Sequence, residues 1–329
     1  MLIKDMLYGE VLINESIIKD LMNTKPFQRL KDINQYGGVN FVFPDKYQVT
    51  RFEHSIGVWH VLKTVGADFE TQIAGLLHDI GHTAFSHMYD MALSSLNENH
   101  HERVQEKLVG WAEIEDILEK NSIKLKNVDE YVLIKRPLPD IGADRFDYAI
   151  RDYVTATDEK AEFADKALSD ISKDDEGLFF NNLEIARTFA EIGNKSQWLV
   201  VHEPTVAAVY QSLIEMIRLG LKNGWLKEDD FLQTDEYVFN KIKSNAANIP
   251  EKYLKIFTNK YTVKEVAAKE DSDIEFKKLK SRFFNPQVIT AKGKKHVSEL
   301  DDGFKQSLNK SVEIFEKSKN GVYYKIEFL

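Results

Sequence analysis

Apolar and polar residues alternate over 8–14 (YGEVLIN), the two-residue period of a half-buried strand. The period then lengthens. Asn14 is placed to cap a helix whose inner face is Ile17, Ile18, Leu21 and Met22, and 26–36 (PFQRLKDINQY) continues helically up to Gly37 and Gly38. Residues 39–50, with Pro44 and Asp45, read as a loop. Apolar residues at three- and four-residue steps predict helices over 53–63, 69–79, 100–120 and 141–154. A β-rich stretch at 177–183 (GLFFNNL) interrupts them, and helices are expected again over 183–192 and 204–223. Further on, Tyr261-Thr262-Val263, Arg282-Phe283-Phe284 and 321–329 predict strands flanking a helix at 301–318. The pattern describes a mainly α chain, with a helical body over 1–225 and a smaller C-terminal α+β lobe over 226–329.

Composition narrows the function. With 43% hydrophobic and 29% charged residues in 329, the chain has the make-up of a folded protein. A net charge of −9 argues against nonspecific nucleic-acid binding, which needs Lys and Arg to displace counterions. An anionic small substrate stays open, because a few local cations can make a positive pocket on an acidic protein. Cysteine is absent, so a metal would have to sit on nitrogen and oxygen donors. The charged pair Lys4-Asp5 falls where a leader needs apolar residues, and no apolar run reaches membrane-span length. A cytoplasmic protein without membrane association is expected.

Histidine changes the picture most. Of nine, seven lie between His54 and His101: His54, His60, His78, His82, His87, His100 and His101. His78 and Asp79 are adjacent within the otherwise apolar AGLLHDIGH. Burying an imidazole beside a carboxylate is costly unless both have partners, and a divalent cation serves both. Gly75 would let a second helix approach, and Gly81 would break the helix so that His82 turns toward the same cavity. His54 lies one predicted helix upstream in RFEHSIGV, and Asp144 opens an apolar helical stretch in GADRFDYAIRD. Two imidazoles and two carboxylates suit Mn²⁺, Fe²⁺, Mg²⁺, Ni²⁺ or Zn²⁺. His87 and Asp90, three residues apart, share a helical face and form a candidate general acid–base pair. His60 reads as a surface helical residue, His296 as part of a basic loop, and Tyr323-Tyr324 as sheet packing.

The order His54…His78-Asp79…Asp144 resembles the HD-domain phosphohydrolases. NQYGGVNFVFP at 34–44, RFEHSIGV at 51–58, IAGLLHDIGHTAFSHMYD at 73–90 and DRFDYAIRD at 144–152 are similar to one branch, the deoxynucleoside-triphosphate triphosphohydrolases. That branch includes bacterial dGTPases and the animal SAM-and-HD-domain enzyme. The likeness covers 5–155, weakens through 156–225 and returns faintly at 277–328. It implies a helical HD core with metal ligation by His54, His78, Asp79 and Asp144. It also implies that His82, His87, Asp90 and His101 (preferred over His100) surround the scissile phosphate while Arg51 faces the phosphates. Gln35 would lie beside the sugar or base, and Tyr148 and Asp152 beside the deoxyribose. Arg145 stands where the animal enzyme holds phosphate with a lysine. The implied reaction releases deoxynucleoside and inorganic triphosphate from a dNTP. Two alternatives stand beside it: an HD phosphatase or phosphodiesterase acting on another nucleotide or on single-stranded nucleic acid, and a non-catalytic nucleotide-binding regulator. Relatives of this kind are often dimers or larger, so a homo-oligomer is expected.

Overall fold

The computed structural model describes residues 1–93, 108, 110–157, 161–201, 203–258, 260–276, 283–318 and 321–329. The chain starts as a hairpin, β1 (Leu2–Asp5) against β2 (Gly9–Leu12), closed by Asp5 Oδ1 accepting the Leu7 and Tyr8 N–H groups. Helix α1 (Ser16–Met22) buries Ile17, Ile18, Leu21 and Met22 as expected. Its N-cap is Glu15 and not Asn14, whose carbonyl instead takes a bond from Lys19 Nζ.

The helix expected through residue 36 is cut short. α2 (Lys25–Arg29) passes into a 3₁₀ turn at Leu30–Asp32, and Ile33 turns extended. Tertiary bonds win there: Asn34 bridges to Thr50 and donates its side-chain N–H to the Tyr47 carbonyl at 2.8 Å. Thr50 and Glu53 form a capping box that launches α3 (Arg51–Thr64). α4 (Phe69–Leu77) packs against α3 at Gly75, where a Cβ would collide with Leu62. α4 already stops at Leu77, with His78 as its C-cap, so the break precedes Gly81. The chain then turns through residues 78–86 into α5 (His87–Ala92).

Next come α6 (Trp111–Lys120), α7 (Ala143–Thr157) and α8 (Glu162–Asp170), then strands β3 (Ile171–Asp174) and β4 (Gly177–Phe180). α9 (Leu183–Ser196) runs through a π-helical turn, Gln197–Val201, toward α10 (Pro204–Asn223), which ends on Gly224. α11 (Asp235–Ser244) and α12 (Glu251–Leu254) follow. The rest comprises β5 (Tyr261–Val266), β6 (Ile274–Phe276), β7 (Gln287–Thr290), β8 (Gly293–His296), α13 (Val297–Leu300), α14 (Asp302–Ser318) and β9 (Val322–Phe328). Strand order is β3-β4-β7-β8 in one sheet and β5-β9-β6 in another. β4 and β7 pair in parallel through Phe180 and Val288, more than a hundred residues apart.

The strand expected at 282–284 is absent from the described part, and Arg282 lies outside the described residues. Phe284 is instead a fully buried plug against Tyr148 and Phe189, held by Asn194, which accepts its N–H at 2.9 Å and donates to its carbonyl at 3.2 Å. Tyr324 is 2% exposed on β9, in keeping with sheet packing.

The fold is mainly helical, and its described residues form two apolar clusters. One surrounds Trp59, Phe146, Phe189 and Phe284; the other joins α5 and α10 to Phe231 and Tyr324. The chain crosses from the first, at Ile80, to the second, at Ala84, and His82 lies on the stretch between them. No helix among the described residues is long and apolar enough to cross a membrane.

Candidate metal centre

Three helices deliver the central side chains. His54 comes from the first turns of α3, His78 from the end of α4 and Asp144 from the start of α7. One donor atom from each lies within 4.8 Å of the others. His54 Nε2 is 3.1 Å from Asp144 Oδ1, and His78 Nε2 is 3.7 Å from the same oxygen. α3 can come this close to α7 because residue 57 is glycine: a Cβ there would strike Asp147 and Arg151.

Both rings are oriented from behind. His54 Nδ1 sits 2.7 Å from Asp147 Oδ2, and His78 Nδ1 sits 2.8 Å from the Gly75 carbonyl. Each acceptor draws the ring proton to Nδ1 and leaves Nε2 facing the cluster. His78 Nε2 is buried and makes no hydrogen bond. A buried nitrogen without a partner is rare in a folded protein, and here it points at an imidazole and a carboxylate. The donor set and that orphaned nitrogen fit a divalent cation.

Asp79 stands beside the three. Its Oδ1 lies 3.3 Å from both His78 Nε2 and His82 Nε2, while its Oδ2 is 3.9 Å from His54 Nε2 and bonds Arg51 Nη1 at 2.5 Å. Burial raises the Asp79 pKa, but the charges of His78, Arg51 and His82 outweigh it and hold the carboxyl well below its ordinary value. Burial lowers the His54 pKa, yet hydrogen bonds with Asp144 and Asp147 and the charges of Asp147 and Asp79 carry it up to about 10.

A cation bound by His54 would therefore displace a proton from it at neutral pH. We expect affinity for Mn²⁺ to rise with pH, by about tenfold per unit for one displaced proton, in titrations at pH 6, 7 and 8. For the metal-free protein the sign reverses. The raised pKa contributes stability that is full below 6.5 and lost as pH climbs through about 10. A pH-independent Mn²⁺ affinity would show that no proton is displaced.

The remaining expected site residues differ in where the fold places them. Arg51, 3% exposed, also gives its Nε to Ser86 Oγ at 2.9 Å. The His82 and His87 rings stand edge to face 5.3 Å apart, and His87 Nδ1 is 3.7 Å from Asp90 Oδ2. The His87 side chain is 43% exposed, against 4% for His82, so His87 is the imidazole open to solvent. Arg145 is half-buried and donates to the Asp140 carbonyl. Gln35 Oε1 is buried without a partner, and Tyr148 and Asp152 lie buried one turn apart on α7. His101 and its neighbour His100 lie outside the described residues.

Sequence reading assigned no role to Asp147, Arg151 or Ser86. Asp147 is fully buried and takes Arg151 Nε and Nη2 at 2.8 and 2.7 Å, while Arg151 Nη1 reaches Asp5 Oδ2 at 3.1 Å. A carboxylate four residues before an arginine amid apolar neighbours was the available signal. Two histidines expected to be ordinary surface groups are not. His60 packs its ring 5.0 Å from Tyr8, and burial lowers its pKa. His296 ends β8 and bonds Asp140 at 2.9 Å.

Residues 51–133 match the family described as HD domain. The uncharacterized protein YdhJ of Bacillus subtilis is 31% identical to this chain over 98% of both. The metal-dependent phosphohydrolase cns2 of Cordyceps militaris is 31% identical over 75% of this chain and 74% of its own length. This chain belongs to the HD-domain family. As an HD-domain protein it is a metal-dependent phosphohydrolase with a divalent metal cofactor, and the His54, His78 and Asp144 cluster is a site able to hold one. The deoxynucleoside triphosphate triphosphohydrolase SAMHD1 homolog of Dictyostelium discoideum is 31% identical over 46% of this chain but only 35% of its own length. A crystal structure of a hypothetical protein from Aquifex aeolicus superposes with a TM-score of 0.70 over 94% of this chain and 98% of that one. At 22% identity it speaks for the fold.

Proposed function

We propose that this HD phosphohydrolase cleaves deoxynucleoside triphosphates into deoxynucleoside and inorganic triphosphate, with His54, His78, Asp79 and Asp144 holding the cation. The observation that carries the site is the orphaned His78 Nε2 facing His54 and Asp144. The substrate class rests on the motif blocks at 34–44, 51–58, 73–90 and 144–152 and on the likeness to the SAMHD1 homolog. A bound divalent cation supplies positive charge to the reacting phosphate and acidifies water.

The chain's own groups do the rest. Asp79 and Ser86 use the Arg51 Nη1 and Nε donors, which fixes the guanidinium and leaves its other N–H groups for phosphate oxygens. His82 stands on the same wall, fixed by Asp79. His87, the more open imidazole, moves the proton to the leaving oxygen while Asp90 orients its ring. The family resemblance assigns His101 a phosphate contact as well. Gln35, Tyr148 and Asp152 take the nucleoside.

One observation favours a second reading. Arg145 is tied to the Asp140 carbonyl, so a cation expected to hold phosphate is already engaged. A shorter phosphorylated substrate, such as a nucleoside monophosphate or a phosphodiester, needs one cationic contact fewer.

Products decide between them. Incubation with each dNTP and Mn²⁺, resolved by ion-pair chromatography, should yield deoxynucleoside and intact triphosphate. Release of pyrophosphate or orthophosphate instead would overturn the first reading in favour of the second.

A further inference from the structure

Asp235 is distant in sequence from every residue so far placed in the site, yet one carboxylate touches two of its loops. Oδ2 accepts the Asn34 N–H and Oδ1 the Phe85 N–H, both at 2.7 Å, and the residue is 3% exposed. Asn34 precedes Gln35. Phe85 lies between His82 and His87 and precedes Ser86, the partner of Arg51 Nε.

The second loop holds an unfavourable backbone. Phe85 and Ser86 have φ of +59° and +46°, the left-handed region that side chains with a Cβ avoid. Two such residues in a row persist only where the surroundings over-determine them. Those surroundings come from the segment leading into α11. The Phe231 carbonyl accepts the Ala84 N–H at 2.8 Å. Arg29 clamps from the other side, with Nη2 on the His82 carbonyl at 2.5 Å and Nε on the Leu232 carbonyl at 2.8 Å. Asp235 completes the grip. Its burial is costly and pushes its pKa up to about 7, while the Asn34 and Phe85 N–H groups and the charges of Arg29 and Arg51 pull it back.

We propose that Asp235 is a positioning residue that locks the Gln35 loop and the His82–Ser86–His87 loop into one fixed relation by bonding Asn34 and Phe85 with a single carboxylate. It is bonded to none of the metal ligands. Without it, the Phe85–Ser86 turn relaxes toward ordinary φ, Ser86 Oγ leaves Arg51, and His87 loses its placement at the start of α5. The cation stays, because His54, His78 and Asp144 are held by other bonds. The proposal rests on the site reading above.

The test uses the full chain as Asp235→Asn and Asp235→Ala, with hydrogen exchange, metal content and turnover measured on each. Exchange at both 33–36 and 83–86 should quicken while 55–62 keeps its protection and metal content is unchanged. For whichever phosphoester the wild type hydrolyses, kcat should fall by about 10- to 100-fold. Asp235→Asn, which keeps one acceptor oxygen, should lose less and keeps the test valid if Asp235→Ala does not fold. Unchanged exchange at either loop, a uniform rise across the chain, or an unchanged kcat overturns the proposal. If the wild type turns over no dNTP, the substrate reading fails while the exchange result still decides the role of Asp235.

Discussion

His78→Ala should give a folded protein that retains no stoichiometric divalent cation and turns substrate over at least about 10³-fold more slowly, the scale of losing metal charge stabilisation. His78 is the proposed ligand whose removal disturbs least else. Its Nδ1 bonds only the Gly75 carbonyl at the end of α4, which water can satisfy in the space vacated. Asp144→Ala should match it, since Asp144 Oδ1 is the oxygen both imidazoles approach. Metal per chain by elemental analysis, kcat, and far-UV circular dichroism together check this. Wild-type metal content in both variants would remove the assigned site, whatever happened to activity.

Asp147 should matter in two separable ways. It fixes His54 through Nδ1 and neutralises Arg151, and both partners are buried. Asp147→Asn keeps the shape but weakens the hold on the His54 ring, so cation affinity should fall by roughly 10–100-fold. Asp147→Ala leaves Arg151 with Asp5 as its remaining carboxylate partner, and the protein should lose about 3–5 kcal/mol, the scale for breaking a buried ion pair from one side. Mn²⁺ titration reads the first effect and urea unfolding the second. Full affinity in Asp147→Asn would mean that the α3–α7 packing alone orients His54.

How far the chemistry can be read along the chain follows from what each signal depends on. Periodicity is a local property, so the helix 204–223 emerges with the ends its pattern predicts, and the apolar face of α1 is as expected. The pairing of an imidazole with a carboxylate in an apolar run is also local. Its desolvation cost points to a cation before any coordinates are known, and the metal dependence follows. The adjacency of His78 and Asp79, and the placement of His54 and Asp144 at helix starts, thus carry the site's chemistry in one dimension.

What folding decides is which partner meets each polar group. Ile33 leaves the helix because Asn34 finds Thr50 and Tyr47, a choice its own neighbours do not specify. Phe284 becomes a plug because Asn194 satisfies its backbone, so β propensity loses to a buried aromatic cluster. β4 joins β7 across more than a hundred residues, and no local pattern encodes such a pairing. The same holds for the supports of the site. Asp147 behind His54, Asp5 behind Arg151 and Asp235 between Asn34 and Phe85 are separated from their partners by 93, 146, 201 and 150 residues. The sequence by itself determined a mainly helical chain with a candidate divalent-cation site, because burial cost and periodicity act between near neighbours, and its resemblance to the HD-domain family added the phosphohydrolase reading. Only the tertiary structure decided which groups hold the ligands and loops in place, because a hydrogen bond depends on distance and direction in space and not on separation along the chain.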